Sequence, residues 1–267
     1  ASGARATTGK PTFQKYAPLW HAKLQRVVGS IHFPHAPRTM RISDAEYYSP
    51  AEAHALQDIG AFNAMLSDVY KLQKAGVSST IVFSVNFKTF CTPQYNREYM
   101  LALKQAPGKL LQFLTPRFVR IPPGTPQALL ASKVQSLSSV FKHVVLHTRP
   151  VFDVTMFDCV PCSILAASWS DIAYLAGRDP RGQRLPIDIA RQFCQAAKKL
   201  RVNALIEGLD STAIFEDALG AGVDLGSGTS IRPLLEKPST QSALTVDDIC
   251  GRSAAKRAAP PNVFEIR

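Results

Sequence analysis

Asn203-Ala204-Leu205-Ile206-Glu207-Gly208-Leu209-Asp210-Ser211, followed by Ala218-Leu219-Gly220-Ala221-Gly222-Val223-Asp224-Leu225-Gly226-Ser227-Gly228 and Arg232-Pro233-Leu234, is the stretch on which the reading of this chain turns. Residues 202–206 form a short, mostly apolar run, the pattern of a parallel strand covered on both faces. Ser211 is placed to cap a helix over 211–220, whose apolar stripe begins at Ile214 and Phe215.

Outward from there the same alternation repeats. Strand-like runs occupy 26–33, 80–87, 143–147 and 163–167, and helical patterns occupy 50–76, 96–105, 126–141 and 186–200. Pro50, Pro126 and Pro186 read as first-turn prolines, a position that needs no backbone donor, and Ser49 reads as an N-cap. Strands alternating with helices over one domain's length predict an α/β fold around a parallel sheet, open or closed. No repeat and no internal linker interrupts it. Residues 1–10 read as a flexible N-terminal extension, 11–235 as the domain, and 236–267 as a basic, partly flexible C-terminal extension containing Arg252, Lys256 and Arg257.

The 267 residues, 46% hydrophobic and 19% charged, suit one barrel of about 250 residues or two small domains, with a core that needs neither disulfide nor metal. Five scattered cysteines predict reduced thiols and a cytoplasmic setting. Cys159-Val160-Pro161-Cys162 has redox spacing but lacks a thioredoxin-like context, so structural thiols are expected. No apolar run reaches the ~18 residues of a membrane span, and the N-terminus has no signal-peptide core. The missing initiator Met suggests the soluble portion of a longer protein, membrane-anchored upstream in one version of that reading. A net charge of +11 favours acidic partners, nucleic acid or anionic lipid. Without an aromatic-interleaved basic motif or zinc-finger spacing, nucleic-acid binding is not expected.

One compositional gap stands out. Between Glu98 and Asp153 there is no aspartate or glutamate, yet the segment holds Lys104, Lys109, Arg117, Arg120, Lys133, Lys142 and Arg149.

The 203–234 stretch resembles the closing section of EAL domains, the cyclic di-GMP phosphodiesterase family. There a strand ends in Ala-Glu-Gly-Val-Glu and a Gln-Gly follows one helix and strand later. Tyr16-Ala17-Pro18-Leu19-Trp20 with Arg26-Val27-Val28-Gly29 resembles the family's opening strand and its return, and Ser84-Val85-Asn86 its Ser-Val-Asn strand end. The resemblance runs from about Phe13 to Leu234 and implies an EAL-type modified (β/α)8 TIM barrel.

The family's chemistry uses divalent cations on hard oxygen ligands at the strand ends. Position by position, the resemblance implies that this set is mostly gone. The name-giving glutamate falls on Ile31, and the arginine four residues on falls on His35. The asparagine ligand is Asn86. The next strand's glutamate falls on Phe113 in one register and on Arg120 in another. The paired aspartates fall on His147 and Thr148, the lysine and aspartate of the following strand on Ala166 and Ser168, and the late glutamine on Ser227. Glu207 and Asp210 remain. The implied expectation is no phosphodiesterase activity, no catalytic residues, no bound metal and no cofactor.

These residues admit three other uses. A zinc site from His35, His147, Asn86 and Glu207 lacks short-range spacing, and solvated or structural histidines are the expectation. His147, Arg149 and Arg120 could form an anion-binding mouth, against which stands a solvated rim. Retained cyclic di-GMP binding is not expected, because His35 and Ser227 remove contacts. Glu207 and Asp210 could equally cap a helix or pair with arginines, and Asn86 could serve its strand end. The expected function is a non-catalytic regulatory module of a bacterial signalling protein, working through an unidentified protein partner or self-association. The alternatives are a receptor for cyclic di-GMP or another phosphorylated ligand, and an unrelated barrel enzyme using Glu207, Asp210 and the histidines.

Overall fold

The computed structural model describes residues 15–33, 50–150, 157–179 and 182–252. In chain order the strands are β1 (Lys15–His21), β2 (Arg26–Phe33), β3 (Thr80–Asn86), β4 (Leu114–Val119), β5 (Val145–His147), β6 (Ile164–Ser168), β7 (Asn203–Glu207), β8 (Leu225–Ser227) and β9 (Ser242–Ala243). The helices are α1 (Ala51–Lys74), α2 (Phe87–Cys91), α3 (Pro93–Gln105), α4 (Gly108–Leu111), α5 (Gln127–Ser138), α6 (Trp169–Ala176), α7 (Pro186–Lys199), α8 (Thr212–Gly220) and α9 (Val246–Ile249).

Strands β2 to β8 run parallel in sequence order. β1 lies antiparallel to both β2 and β8 and closes the ring. The result is an α/β barrel with one reversed strand. Between Leu19 and Trp20 the β1–β2 register slips, Leu19 facing Gly29 and Trp20 facing Val27, so that Val28 is the extra residue of a bulge.

The two-residue period of each strand divides its side chains between two cores. Leu19, Ile31, Val82, Val145, Ile164, Ala166, Leu205 and Leu225 point inward and fill the barrel as one apolar cluster. The alternate residues point outward, and Trp20, Phe83, Phe118, Leu165 and Ile206 belong to the larger core beneath the helices. That outer layer is aromatic around β3 and β4. Phe90 meets Phe118 edge-on at 5.1 Å and Tyr99 at 5.3 Å, and Phe62 contacts both Phe83 and Tyr99. Such pairs add about 0.5–1.5 kcal/mol each beyond the area they bury.

Most elements lie close to their sequence expectation, and the differences have local causes. Ser211 caps α8, its Oγ accepting from Ile214 N at 3.3 Å. Pro186 is the first residue of α7, whereas Pro50 and Pro126 sit one place earlier, at the caps. Ser49 lies outside the described residues. Helix α3 begins at Pro93 rather than near 96, and α2 precedes it directly on β3. The packed structure also runs past Leu235. Within the expected extension, β9 pairs with β2, Trp20 Nε1 donates to Leu244 O at 2.8 Å, and Ser239 N donates to Ser30 Oγ at 2.6 Å. Gly228 is required by close approach, since a Cβ there would lie 2.3 Å from Leu209 O.

Candidate functional site

The carboxyl ends of parallel barrel strands form the mouth where such folds place their chemistry. One step above the apolar layer, the inward positions turn polar: Ser84 on β3, Arg117 on β4, His147 on β5, Ser168 on β6, Glu207 on β7 and Ser227 on β8. Glu207 is 0% exposed and Arg117 4% exposed. Arg117 Nη1 donates to Glu207 Oε1, an ion pair that crosses from β4 to β7. Its Nη2 donates to Ser84 Oγ at 2.7 Å, and its guanidinium lies 5.6 Å from the centroid of the Phe33 ring. A buried charge survives only when paired and hydrogen-bonded, and these contacts supply both requirements. Glu207 Oε2, Arg117 Nε and Ser227 Oγ are buried without a protein partner.

His147 is buried beside this pair. Burial pushes its imidazole below the usual histidine range. Glu207 opposes that shift, and Arg117 adds to it.

A second buried network joins α1 to the end of β3. Asp58, 3% exposed, accepts from Asn86 N at 3.0 Å, from Asn86 Nδ2 at 2.6 Å and from Thr89 Oγ1 at 2.6 Å. Asn86 Oδ1 in turn accepts from Arg120 Nη1. Burial raises the Asp58 carboxyl to about 6, although Thr89, Asn86 and the Arg120 charge all pull it down. Arg120 adopts a positive φ of 56°, a backbone turn that follows directly on β4.

The expected positions fall into distinct places. Ile31 and Ala166 lie in the apolar layer inside the barrel. Ser168 faces inward but is absorbed locally, its Oγ capping α6 by accepting from Asp171 N at 3.1 Å. Ser227 is buried opposite Glu207 in the β7–β8 register. Thr148 N donates to Ala166 O at 2.9 Å. Asp210 is not brought into the barrel; it is exposed and accepts from Thr229 N and Oγ1, both at 3.0 Å. Thus Asn86 and Glu207 are at the strand ends, and Asp210 stands apart from them. His35 lies outside the described residues.

The β4 expectation is corrected. The inward place on β4 belongs to neither Phe113 nor Arg120. Phe113 precedes the strand and packs against the outer core, and Arg120 follows the strand. Arg117 holds the inward place, in register with Ser84. The strand itself hid this residue, because a proline and an arginine in the middle of six residues argue against a central strand. The available signal was the inward run of Thr115, Arg117 and Val119 at period two. The three residues of the anion-binding expectation, His147, Arg120 and Arg149, lie in different settings. His147 is buried and disfavoured as a cation, Arg120 is bonded to Asn86, and Arg149 is exposed beyond β5.

Among the described residues no group of three or more His, Cys, Asp or Glu side chains is arranged to hold a metal ion. Cys159 and Cys162 are free thiols, and burial pushes Cys162 up to about 11, opposite to an activated thiolate. No described helix is long and apolar enough to cross a membrane.

In fold the chain is similar to solved EAL domains. PaMucR phosphodiesterase, in complex with c-di-GMP, matches over 83% of this chain and 91% of its own, with a TM-score of 0.61 and 14% identity. The FimX EAL domain of Xanthomonas citri, also in complex with c-di-GMP, matches over 84% and 88%, with a TM-score of 0.58 and 18% identity. YkuI of Bacillus subtilis, a protein with an EAL domain in complex with c-di-GMP and calcium, matches 91% of this chain but only 60% of its own length, with a TM-score of 0.64 and 10% identity. No family model matches the sequence, and no curated protein matches it. The fold is therefore the EAL-type modified (β/α)8 TIM barrel, with its first strand reversed.

Proposed function

We propose that this EAL-type barrel is a non-catalytic regulatory module of a bacterial signalling protein, acting through contact with a protein partner or a second copy of itself. One observation carries the reading. Each of the two ligand-type side chains retained at the strand ends already accepts from an arginine, Glu207 through Oε1 from Arg117 and Asn86 through Oδ1 from Arg120. A magnesium or manganese ion needs about six hard oxygen ligands with several carboxylates near it. Here a guanidinium is bonded to each of the two surviving ligand side chains, and the other inward places hold Ile31, His147, Ala166 and Ser168. The residues do not fit a pair of divalent ions, and no hydrolytic step is derived for them. A single-turnover assay with cyclic di-GMP and excess Mn²⁺ is expected to give no linear dinucleotide; linear product would overturn the reading.

The second reading is a receptor for cyclic di-GMP or another phosphorylated ligand. It is favoured by the complexes of PaMucR and FimX with c-di-GMP and by the exposed Arg149 just beyond β5. Calorimetry with cyclic di-GMP, with and without Mg²⁺, separates the two. No heat is expected for the regulatory module, and micromolar binding would promote the receptor.

A further inference from the structure

The end of the barrel opposite the mouth, where the parallel strands begin and the helices finish, carries a different kind of charge. Lys74 closes α1, Lys104 lies in the last turn of α3, Lys109 is in α4, Lys142 precedes β5, and Lys198 and Lys199 close α7. All six are exposed. Because β3, β4, β5, β6 and β7 are sequential neighbours, these residues follow one arc of the base. Carboxylates along the same arc are sparse. Asp68 is engaged by Lys71 and by Tyr16, Asp224 accepts from Ala204 N, and Asp158 is exposed before β6.

Complementing helix dipoles explains a lysine in the last turn of a helix. It does not explain Lys142, four residues beyond the end of α5, or Lys109 in a single-turn helix. The residue type is informative too, six lysines standing along the arc with Arg201 beside Lys199. Protein interfaces are depleted in lysine and enriched in arginine, whose planar fork matches carboxylates, whereas the lysine ammonium is a hydrated point charge suited to a diffuse anionic surface. The same end also presents apolar and amphipathic groups. Leu24, 57% exposed, sits beside exposed Lys23 in the turn that enters β2, where α9 brings Asp247, engaged by Arg252, and Asp248 against Gln25; exposed Tyr70 lies beneath Lys74, with 5.1 Å from the ammonium to the ring centroid. A leucine at a turn tip and a tyrosine among lysines suit a surface with an apolar layer under its charge, which a nucleic-acid backbone lacks.

We propose that the base of the barrel docks on a bilayer of anionic lipid, its lysines over the headgroups and Leu24 directed into the interface. The attraction does not depend on whether the mouth is catalytic. It is tested by sedimentation of the full chain with vesicles of phosphatidylserine and phosphatidylcholine against vesicles of phosphatidylcholine alone. Binding is expected only to the anionic vesicles, and it should weaken as salt is raised. The triple variant K109Q/K142Q/K198Q should lose about tenfold or more in affinity, while the charge-matched R97Q/R184Q/R191Q, toward the mouth, should bind like the parent. A tryptophan introduced by Leu24→Trp should shift its emission to the blue on anionic vesicles. Three results would each overturn the proposal: no binding to anionic vesicles, equal loss in both triple variants, or retardation of duplex DNA by a protein that ignores the vesicles.

Discussion

The two ends of this barrel hold positive charge in opposite ways. At the mouth it is arginine, turned inward: Arg117 is buried on Glu207 and Ser84, and Arg120 is bonded to Asn86. At the base it is mostly lysine, with Arg201 beside Lys199, turned outward from helix ends and loops into solvent. The acid-free segment between Glu98 and Asp153 feeds both ends, sending Arg117 and Arg120 to the mouth and Lys104, Lys109 and Lys142 to the base. The same charge thus has two energetic meanings. Inside, a charge without its partner is strongly destabilising; outside, it costs almost nothing and acts only at a distance.

The largest expected effect follows from breaking the buried pair. Arg117→Ala leaves the fully buried Glu207 carboxylate uncompensated and should cost about 3–5 kcal/mol in chemical denaturation. The double variant R117M/E207L, which removes both charges and keeps the volume, should recover much of that loss. An Arg117→Ala protein within about 1 kcal/mol of the parent would mean that the pair does not organise the mouth.

The Asp58 network comes next. Its carboxyl is raised from 3.8 to about 6, so the folded chain holds this proton more tightly than the unfolded one does. The associated stabilisation is complete below the unfolded value and is lost as pH rises through the folded one. Between pH 4 and pH 7 the parent should lose up to about 3 kcal/mol relative to D58N, which cannot titrate there. Denaturation of both proteins at the two pH values measures the difference, and parallel curves would show that the three donors and Arg120 outweigh burial.

A smaller effect concerns His147, whose cation is disfavoured by burial and by Arg117 but favoured by Glu207. Its imidazole should titrate below 6.5 in an NMR experiment. Glu207→Gln removes the larger of the two carboxylate contributions that support the cation, Asp171 supplying the other, so the midpoint should fall further. An unchanged midpoint in E207Q would place Glu207 too far away to act.

How much of this could be read from the chain follows the range of the interactions. The β7–α8–β8 unit was legible because its signals are local: the Ser211 cap, the apolar run into Glu207, and Gly228 where no Cβ fits. The modified barrel and the choice of Ile31, Ala166 and Ser227 as site positions came with the resemblance, whereas the reversal of β1 is seen only in its pairing with β2 and β8. Arg117 was not legible. It lies in a strand interrupted by Pro116, and its partners Ser84 and Glu207 are 33 and 90 residues away. Asp58 was missed for the same reason, since one aspartate on a long helix gives no sign that Asn86 and Thr89 close over it. The engagement of both retained side chains, Glu207 and Asn86, by arginine became visible only when these distant pairings were in place.

The smallest effect tests the other half of the contrast. Lys199→Gln removes an exposed ammonium at the last residue of α7, where it favours the helix dipole by about 0.3–1 kcal/mol at most. In ordinary salt the stability change should stay below about 0.5 kcal/mol, because exposed charges are screened and hydrated in both states. The denaturation midpoint should therefore barely move, even though the same substitution lowers the charge presented by the base. A loss comparable to that of Arg117→Ala would mean that the base lysines hold the fold together, and the division between an inward-paired mouth and an outward-facing base would fail.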